Sequence, residues 1–396
     1  MQQATKTLSE KLKRLVGQPV SAIDTPALVL DLDAMQRNLG RMAEFARKHD
    51  IRWRAHAKMH KSSALAKLAL QAGATGICVQ KVSEAEVMAA GGVTDIYISN
   101  EIVAPAKLAR VADLAHQLAA EDGQLAIAVD SPEGVKRLAQ AMNERRRGGP
   151  PAVIDVFVEI DVGQGRCGVP PGRQAVDLAH EIRRHPALRF AGLQAYHGKA
   201  QHLRTPQARR DAIGQAVQDV LFTRKMIEAE GVPVDLVTGA GTGSMVCEAA
   251  SGVYGELQPG SFLFMDADYA ANERDPATPQ FEHALFIKSQ VMSSGVRHAV
   301  CDAGHKAHAI DSGLPLVLER EPTGKLEYAN GGDEHGILRP VGGNQRVPQL
   351  DDVVWLIPGH CDPTVNLHKY MIGVGDGIED GKVEKIIRVD ARGMLM

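Results

Sequence analysis

Apolar and amphipathic stretches alternate regularly along residues 28–265. Each apolar stretch has the length of a strand, and the intervals carry helical periodicity, as in 105–120 and 206–230. The repeating unit spans about 20 to 45 residues, the length of a βαβ unit, and such repetition predicts a parallel sheet. The nine predicted strands are 28–32, 51–58, 75–80, 95–99, 124–130, 153–161, 188–195, 233–238 and 257–265.

Polar residues and glycines follow directly on the C-terminal ends of most of these strands. Barrel enzymes build their sites at that end, with one loop from each strand. The pattern therefore favours a (β/α)8 TIM-type barrel. A barrel needs eight strands and nine are counted, so an open doubly wound sheet is the alternative. The residues concerned are Lys58, Gln80, Asn100, Glu101, Asp130, Arg166, Tyr196, His197 and the run 239–244.

The pattern changes after about residue 275. Long helical periods disappear, and short apolar segments are separated by Gly, Pro and Asn. This predicts a smaller C-terminal β domain that begins between residues 270 and 283. Its strands are expected at 284–292, 299–302, 314–318, 353–357, 370–374 and 383–389.

Composition narrows the class of protein. The 396 residues are 44% hydrophobic and 23% charged, as in an ordinary soluble protein, and the net charge of −3 favours neither nucleic acid nor a membrane surface. Five widely spaced cysteines without a CxxC pair argue against a disulfide framework and a thiolate zinc site. Because no apolar run approaches the ~20 residues of a membrane helix and no signal peptide is visible, a cytoplasmic location is expected.

The predicted strand 51–58 has a basic face. Side chains alternate along a strand, so Arg52, Arg54, His56 and Lys58 point the same way. Unpaired buried charge is costly. The segment is therefore either an exposed edge strand or part of a polar cavity that needs a lysine amine.

The glycine-rich loop 238–244 lies between a predicted strand and a short helix that begins near Ser244. Its N–H groups and hydroxyls suit a phosphate, and Gly260 and Ser261 offer a second contact in the next loop. The loop lacks the lysine of a nucleotide P-loop and the spacing of a dinucleotide fingerprint. The alternative is a flexible turn without a ligand.

A lysine at one strand end and a monophosphate cradle across the barrel mouth together suggest pyridoxal phosphate. The Lys58 amine would form a Schiff base with its aldehyde while the cradle holds its phosphate. Arg166 and Tyr196, also at strand ends, are candidates to contact the cofactor ring. A Schiff-base aldolase acting on sugar phosphates would use the same two parts, so the inference is not unique.

A second cluster lies at 358–368. In an extended backbone His360 and Asp362 point the same way, and imidazole plus carboxylate suits Mn²⁺ or Mg²⁺ better than structural zinc. The alternative is a loop stabilised by hydrogen bonds. His335 is a further candidate ligand, or a buried histidine paired with a neighbouring carboxylate.

Several motifs in order resemble one family. They lie at 54–61, 79–85, 159–168, 194–198 and 264–269, together with the two clusters above. The chain resembles the D-threonine aldolase and D-3-hydroxyaspartate aldolase group of fold-type III pyridoxal-phosphate enzymes, relatives of alanine racemase and D-serine dehydratase. The resemblance implies that the first strand joins the β domain, which leaves eight strands for the barrel. The expected division is 1–24 with the β domain, 25–272 as barrel and 273–396 as β domain with the metal site.

The resemblance also implies a set of site residues and a homodimer. The metal ligands would be His360 and Asp362; D-serine dehydratases have Cys at the second position and use zinc, so Asp362 favours Mn²⁺ or Mg²⁺. Lys58 and His56 would be catalytic. Cofactor-binding residues would be Lys58, Gln80, Arg166, Tyr196, Gly241, Thr242, Gly243, Gly260, Ser261 and Tyr269.

The expected reaction is metal-dependent cleavage of a D-3-hydroxy amino acid to glycine and an aldehyde, acetaldehyde or glyoxylate. A metal-bound water, His56 or His60 would take the hydroxyl proton. The alternatives are a dehydratase that gives a 2-oxo acid and ammonia, and a non-enzymatic carrier of pyridoxal phosphate. A substrate with an additional carboxylate would need one more cationic side chain near the metal. The candidates are Lys306, His305, His308 and Lys369.

Overall fold

The computed structural model describes residues 10–145, 152–321, 323–342 and 346–396. The first nine residues of the expected N-terminal segment 1–24 therefore lie outside the described part. The α-helices span Leu32–Lys48, Ser63–Gln71, Val82–Ala90, Pro105–Ala120, Pro132–Glu144, Arg173–Arg183, Pro206–Ala229, Met245–Ala250, Ala267–Ala270 and Cys361–Leu367. Single 3-10 turns lie at Val20–Ala22, Ala57–Met59, Gly198–His202 and Ser261–Leu263.

Seventeen strands are described. Those of the N-terminal part are β1 (Ala27–Asp31), β2 (Arg52–His56), β3 (Gly76–Val79), β4 (Asp95–Glu101), β5 (Gln124–Val129), β6 (Ile154–Glu159), β7 (Leu188–Ala195), β8 (Leu236–Gly239) and β9 (Glu256–Leu257). Those that follow are β10 (Leu285–Ser294), β11 (Ala299–Cys301), β12 (Leu316–Val317), β13 (Leu326–Asn330), β14 (Gly336–Pro340), β15 (Val353–Ile357), β16 (Tyr370–Gly375) and β17 (Lys382–Arg388).

Side-chain caps fix where several helices begin. Asp31 accepts the N–H of Ala34 at 2.9 Å ahead of Leu32–Lys48, and Thr205 accepts the N–H of Ala208 at 3.2 Å ahead of Pro206–Ala229. Each bond satisfies a donor that the first helical turn leaves free. The caps end the preceding loop at a defined residue, which sets the length of each βα unit.

Strands β2 to β9 close into a parallel barrel in chain order. The closing pair is β9 with β2, in the register Arg52↔Glu256 and Trp53↔Leu257. The predicted TIM-type barrel is therefore confirmed, and the open doubly wound sheet is excluded. Because all eight strands are parallel, their C-terminal ends meet at one mouth, where their loops build a common site.

The barrel interior contains a buried ionic layer. Arg54 lies between Asp95 at 2.5 Å and Glu256 at 3.2 Å, and its side chain is only 7% exposed. A Cβ at Gly76 would come within 2.1 Å of the Arg54 guanidinium, so glycine is required there. The basic face of β2 thus points inward, which excludes an exposed edge strand.

A nine-stranded sheet forms the second layer of structure. Its main path is β13-β14-β11-β10-β1-β16-β17, and β15 pairs with both β10 and β12. Strand β1 pairs antiparallel with β10 and parallel with β16. The expected limits 25–272 for the barrel segment need correction at their N-terminal end, because hydrogen bonding places Ala27–Asp31 in the sheet, as the resemblance implied.

Several predicted strand limits differ from the structure. Strand β2 ends at His56, two residues before the predicted end, and the predicted strand 257–265 contains only the two-residue β9 followed by a 3-10 turn. Helix Cys361–Leu367 and strands β13 and β14 were not predicted. Strands β13 and β14 pair with each other over five residue pairs, and the partner strand, rather than local periodicity, sets their limits.

Within the described ranges, no helix has both the length and the apolar character needed to cross a membrane.

Candidate active site

Lys58 lies just beyond the C-terminal end of β2, in the turn Ala57–Met59. The turn is held by His56, whose Nδ1 accepts the Lys58 N–H at 3.4 Å. The Lys58 amine reaches into a pocket at the barrel mouth, where Nζ lies 3.3 Å from Asp362 Oδ2. Asp362 raises the pKa of this amine above its ordinary value, against the opposing effect of burial.

Almost all residues assigned from the family resemblance to catalysis, cofactor binding or metal binding line this one pocket. Gly243 is the exception. The predicted residues in the lining are His56, Lys58, Gln80, Arg166, Tyr196, Gly241, Thr242, Gly260, Ser261, Tyr269, His360 and Asp362. They come from six barrel loops and from the C-terminal sheet, so the barrel and the sheet together form the pocket.

Two loops present backbone donors to the pocket. Thr242 Oγ1 accepts the N–H of Phe262 at 3.0 Å and so fixes the loop after β8 against the loop after β9. Within the described chain, the N–H groups of Gly241, Thr242, Gly260 and Ser261 have no protein acceptor. Four free N–H groups around one end of the pocket are suited to an anion with several oxygen atoms.

The predicted contact from Gly243 is directed elsewhere. Its N–H donates to the side-chain oxygen of Gln201 at 3.0 Å, and Gly243 lines a neighbouring cleft. The sequence placed both glycines of this loop at the anion, but only Gly241 faces the main pocket. A protein acceptor occupies the N–H of Gly243.

Aromatic and cationic groups surround the middle of the pocket. The Arg166 guanidinium lies 5.9 Å from the centre of the Tyr196 ring, and Tyr269 packs 6.3 Å from the His360 ring. Burial raises the pKa of both tyrosine hydroxyls, so they remain protonated donors at neutral pH. This arrangement suits a flat heteroaromatic ring.

His360 and Asp362 converge, although the backbone is not extended as predicted. His360 is the N-cap of helix Cys361–Leu367, and Asp362 lies in its first turn. The Nε2 of His360 is 3.6 Å from Oδ1 of Asp362, an atom that is buried and has no hydrogen-bond partner among the described residues. Burial opposes ionisation of Asp362, but Lys58 and His360 outweigh it and hold its pKa below the ordinary value.

Asp266 was not predicted to have a role, yet it orients this pair. Its side chain is fully buried, and Oδ2 accepts from His360 Nδ1 at 2.8 Å and from the Cys361 N–H at 3.0 Å. Burial disfavours a charged His360, but the bond to Asp266 and the nearby Asp362 raise its pKa. Because Nδ1 is engaged, Nε2 is the ring nitrogen left to face the pocket.

His56 and His60 are buried imidazoles. Burial lowers the pKa of His56 to about 3 and that of His60 to about 4, so both are neutral. The Nε2 of His56 lies 3.0 Å from the Gln80 side-chain nitrogen, and its Nδ1 serves the Lys58 backbone. Because its Nδ1 bonds to the Lys58 backbone and burial makes the ring a weak base, His56 is suited to positioning Lys58 rather than to exchanging a proton with a ligand.

Other candidates from the sequence lie outside the pocket. His335 is exposed rather than buried. Lys306 pairs with Asp333 and Glu334, and His308 bonds to the Tyr328 hydroxyl. These residues were suggested by their polarity alone. In the structure, Lys306 and His308 bond to other residues of the C-terminal part instead of facing the pocket.

Sequence reasoning gave no role in the site to five residues of the pocket lining. His202 lies at the mouth, with its Nδ1 at 2.5 Å from Asp268 Oδ2. Ser99, Gln194, Ala240 and Gln258 complete the lining. His202 lies in a polar loop two residues before Arg204 and gives no local signal, because the carboxylate that orients it is 66 residues away.

The barrel, its lysine and the attached β sheet define a class of alanine racemase-like enzymes. The sequence model of the alanine racemase N-terminal domain family matches residues 30–268, and a serine dehydratase domain model matches 284–374. The chain is 43% identical to D-threonine aldolase of Arthrobacter sp., over 95% of each chain. It is 40% identical to 3-hydroxy-D-aspartate aldolase of Paracoccus denitrificans (strain Pd 1222), over 96% of this chain and 95% of the relative.

Structure comparison agrees with the sequence matches. The crystal structure of D-threonine aldolase from Filomicrobium marinum superposes with a TM-score of 0.89 at 43% identity, covering 96% of this chain and 98% of that one. The chain belongs to the family of D-threonine aldolase and 3-hydroxy-D-aspartate aldolase, which are lyases. The resemblance inferred from the sequence motifs is thereby confirmed.

Proposed function

We propose that this protein is a pyridoxal-phosphate- and divalent-metal-dependent aldolase that cleaves D-3-hydroxy amino acids to glycine and an aldehyde. One observation carries the proposal. The Lys58 amine, four free backbone N–H groups and the His360–Asp362 pair all face a single pocket. A lysine, an anion cradle and a hard-metal site in one place are the parts that this reaction needs.

The residues present fit pyridoxal phosphate. The N–H groups of Gly241, Thr242, Gly260 and Ser261 would hold its phosphate. Arg166 and Tyr196 would contact its ring, and Lys58 would hold it covalently. Gln80 supports the site through His56, which fixes the turn that carries Lys58.

A hard divalent cation fits the second part of the pocket. The buried Oδ1 of Asp362 needs a positive partner, and Nε2 of His360 is held toward it by Asp266. One imidazole and one carboxylate, with the remaining positions left to water and substrate, suit Mn²⁺ or Mg²⁺. The ion would polarise the substrate hydroxyl as a Lewis acid.

Residues of the protein position the substrate and would accept the proton of its hydroxyl group. Pyridoxal phosphate, when bound, supplies an electron sink for the charge left as the Cα–Cβ bond breaks. His202 is the histidine at the pocket mouth whose Nε2 has no protein partner in the described chain, and Asp268 orients it through Nδ1. An imidazole oriented by a carboxylate is suited to accept the hydroxyl proton. We assign this role to His202 in place of His56 or His60, because burial lowers the pKa of those two imidazoles and makes them weak bases.

We further propose that the protein forms a homodimer and that its substrate is of the D-threonine or D-3-hydroxyaspartate type. The names of the two aldolase relatives support the substrate type. The oligomer is inferred from the family resemblance. Light scattering coupled to size-exclusion chromatography would measure the mass of the particle, and a monomer at micromolar concentration would contradict the dimer.

The test is product analysis. Protein with pyridoxal phosphate and Mn²⁺ is incubated with D-threonine or D-3-hydroxyaspartate, and glycine, aldehyde, ammonia and 2-oxo acid are measured. We expect equal amounts of glycine and acetaldehyde or glyoxylate, and loss of activity after chelation. Ammonia with 2-oxo acid would indicate a dehydratase. No turnover with bound cofactor would favour a carrier.

A further inference from the structure

Gln201 is a fully buried amide that contacts the glycine-rich loop. It lies in the turn Gly198–His202 that follows β7. Its Oε1 accepts from Gly243 N–H at 3.0 Å and from Ser244 N–H at 3.2 Å. Its Nε2 donates to His197 O at 3.2 Å and to Ser244 Oγ at 2.6 Å. The side chain therefore uses both its donors and its acceptor on surrounding loops.

Gln201 also explains both loop glycines. A Cβ at Gly241 would lie 2.6 Å from Gln201 Oε1, and a Cβ at Gly243 would lie 2.4 Å from the Gln201 carbonyl oxygen. Both distances are shorter than packed atoms tolerate. The glycines are thus needed for close approach to Gln201, to its side chain at Gly241 and to its backbone at Gly243, whereas the sequence suggested close approach to an anion.

The network continues behind the loop. Ser244 Oγ donates to Glu248 Oε1 at 2.7 Å, and Glu248 is only 1% exposed. Ser244 thereby accepts from Gln201 and donates to Glu248, which gives its hydroxyl one orientation. These three residues hold the loop through hydrogen bonds, and none of them lines the pocket: Gln201, Ser244 and Glu248.

The backbone N–H groups of the glycine-rich loop therefore fall into two sets, those that bond to Gln201 and those that have no protein acceptor. The Gly243 and Ser244 N–H groups are occupied by Gln201, whereas the Gly241 and Thr242 N–H groups have no acceptor within the described chain. We propose that Gln201 is a positioning residue that confines the cofactor phosphate to the Gly241–Thr242 side of the cradle and so selects the phosphorylated form of the cofactor. This inference rests on the proposed function.

An amide is the side chain that this position requires. A hydrocarbon would leave two buried N–H groups without acceptors, which is costly and lets the loop shift. A carboxylate would accept both N–H groups but would face the His197 carbonyl oxygen and repel a nearby dianion. The two replacements therefore test the hydrogen bonds and the charge separately.

The experiment compares pyridoxal 5′-phosphate with pyridoxal, which lacks the phosphate. Dissociation constants are measured by absorbance titration of the full-length protein at pH 8. For Gln201→Met we expect the constant for pyridoxal 5′-phosphate to rise about 10-fold or more, since each lost hydrogen bond weakens binding by up to about 10-fold. The constant for pyridoxal should stay within about twofold, because it makes no phosphate contact. Gln201→Glu should give the larger loss for the phosphorylated form.

Two further variants distinguish a specific effect of the Gln201 side chain on phosphate binding from a general loss of stability. Thr223→Val removes a buried hydroxyl that accepts from Gly172 N–H and does not line the pocket, so both constants should stay unchanged. An unchanged ratio of the two constants in both Gln201 variants would overturn the inference. If these variants do not fold, Ser244→Ala decides: we expect about a threefold lower preference for the phosphorylated form, and no change would overturn the inference. Wild-type protein that binds neither compound would instead contradict the proposed function.

Discussion

Asp266 and His360 form a buried pair, with the Nδ1 of His360 donating to Oδ2 of Asp266 at 2.8 Å. The two residues are 94 positions apart and belong to the last barrel loop and to the C-terminal sheet. Their contact therefore joins the two parts of the molecule at the pocket. Carboxylate–histidine pairs of this kind orient imidazole ligands and increase their basicity.

Asp266→Asn should weaken metal activation. The amide keeps the shape of Asp266 but removes its charge and one acceptor, so His360 loses its fixed orientation. We expect the Mn²⁺ concentration for half-maximal activity to rise about 10- to 100-fold. The measurement is aldehyde release against Mn²⁺ concentration. Asp155→Asn, which loosens a surface pair with Arg189, is the control; an equal change there would contradict the role of Asp266.

Lys58 and Lys61 should respond differently to replacement. Lys58→Ala removes the amine at the pocket, so the absorbance of bound pyridoxal phosphate should disappear. Lys61 instead reaches Glu84 at 3.2 Å and Asn366 at 3.0 Å, away from the pocket lining. Lys61→Ala should keep the absorbance but unfold at a lower temperature, because it leaves the buried Glu84 without its cation. Loss of the absorbance in Lys61→Ala alone would reverse the assignment.

Arg54 should be far more important for stability than its neighbour Arg52. Both contact Glu256, but the Arg54 side chain is 7% exposed and that of Arg52 is 51% exposed. Arg54→Met removes the buried cation that lies against the buried Glu256 and should cost about 3–5 kcal/mol. Arg52→Met should cost about 0–1 kcal/mol, as exposed ion pairs do. Urea unfolding of the two variants measures the difference in the free energy of unfolding. Equal losses of stability would show that burial does not determine how much each arginine contributes.

Glu248 should make stability depend on pH. Burial raises its pKa from 4.5 to about 7, so the folded protein keeps a proton that the unfolded chain releases. The contribution of Glu248 to the free energy of unfolding is therefore fully present below about pH 4.5. It decreases by about 3 kcal/mol as the pH rises from about 4.5 to about 7. Glu248→Gln keeps the acceptor for Ser244 Oγ and stays neutral at every pH.

The comparison of Glu248→Gln with wild type isolates this group. Denaturant unfolding from pH 4.5 to 8 should show little difference at the acidic end and a growing advantage for the variant up to about pH 7. A difference that does not vary with pH would mean that Glu248 is ionised in the folded protein.

The βα repeat and most of the pocket lining could be predicted from the sequence alone. Regular βα spacing follows from local chain preferences, so the barrel was predictable, and parallel strands bring their C-terminal ends together without further information. Lys58, Thr242 and Ser261 could be placed at the mouth for that reason. The family resemblance assigned β1 to the sheet, which strand counting alone did not.

Which groups contact one another inside the pocket depends on the folded arrangement of the loops. The partners of His360, His202 and the Gly243 N–H are Asp266, Asp268 and Gln201, and each pair comes from separate loops. Periodicity records which face a residue occupies, but it carries no information on contacts between distant loops. Burial then decides the charge of groups such as His56 and Glu248, and burial is a property of the assembled fold.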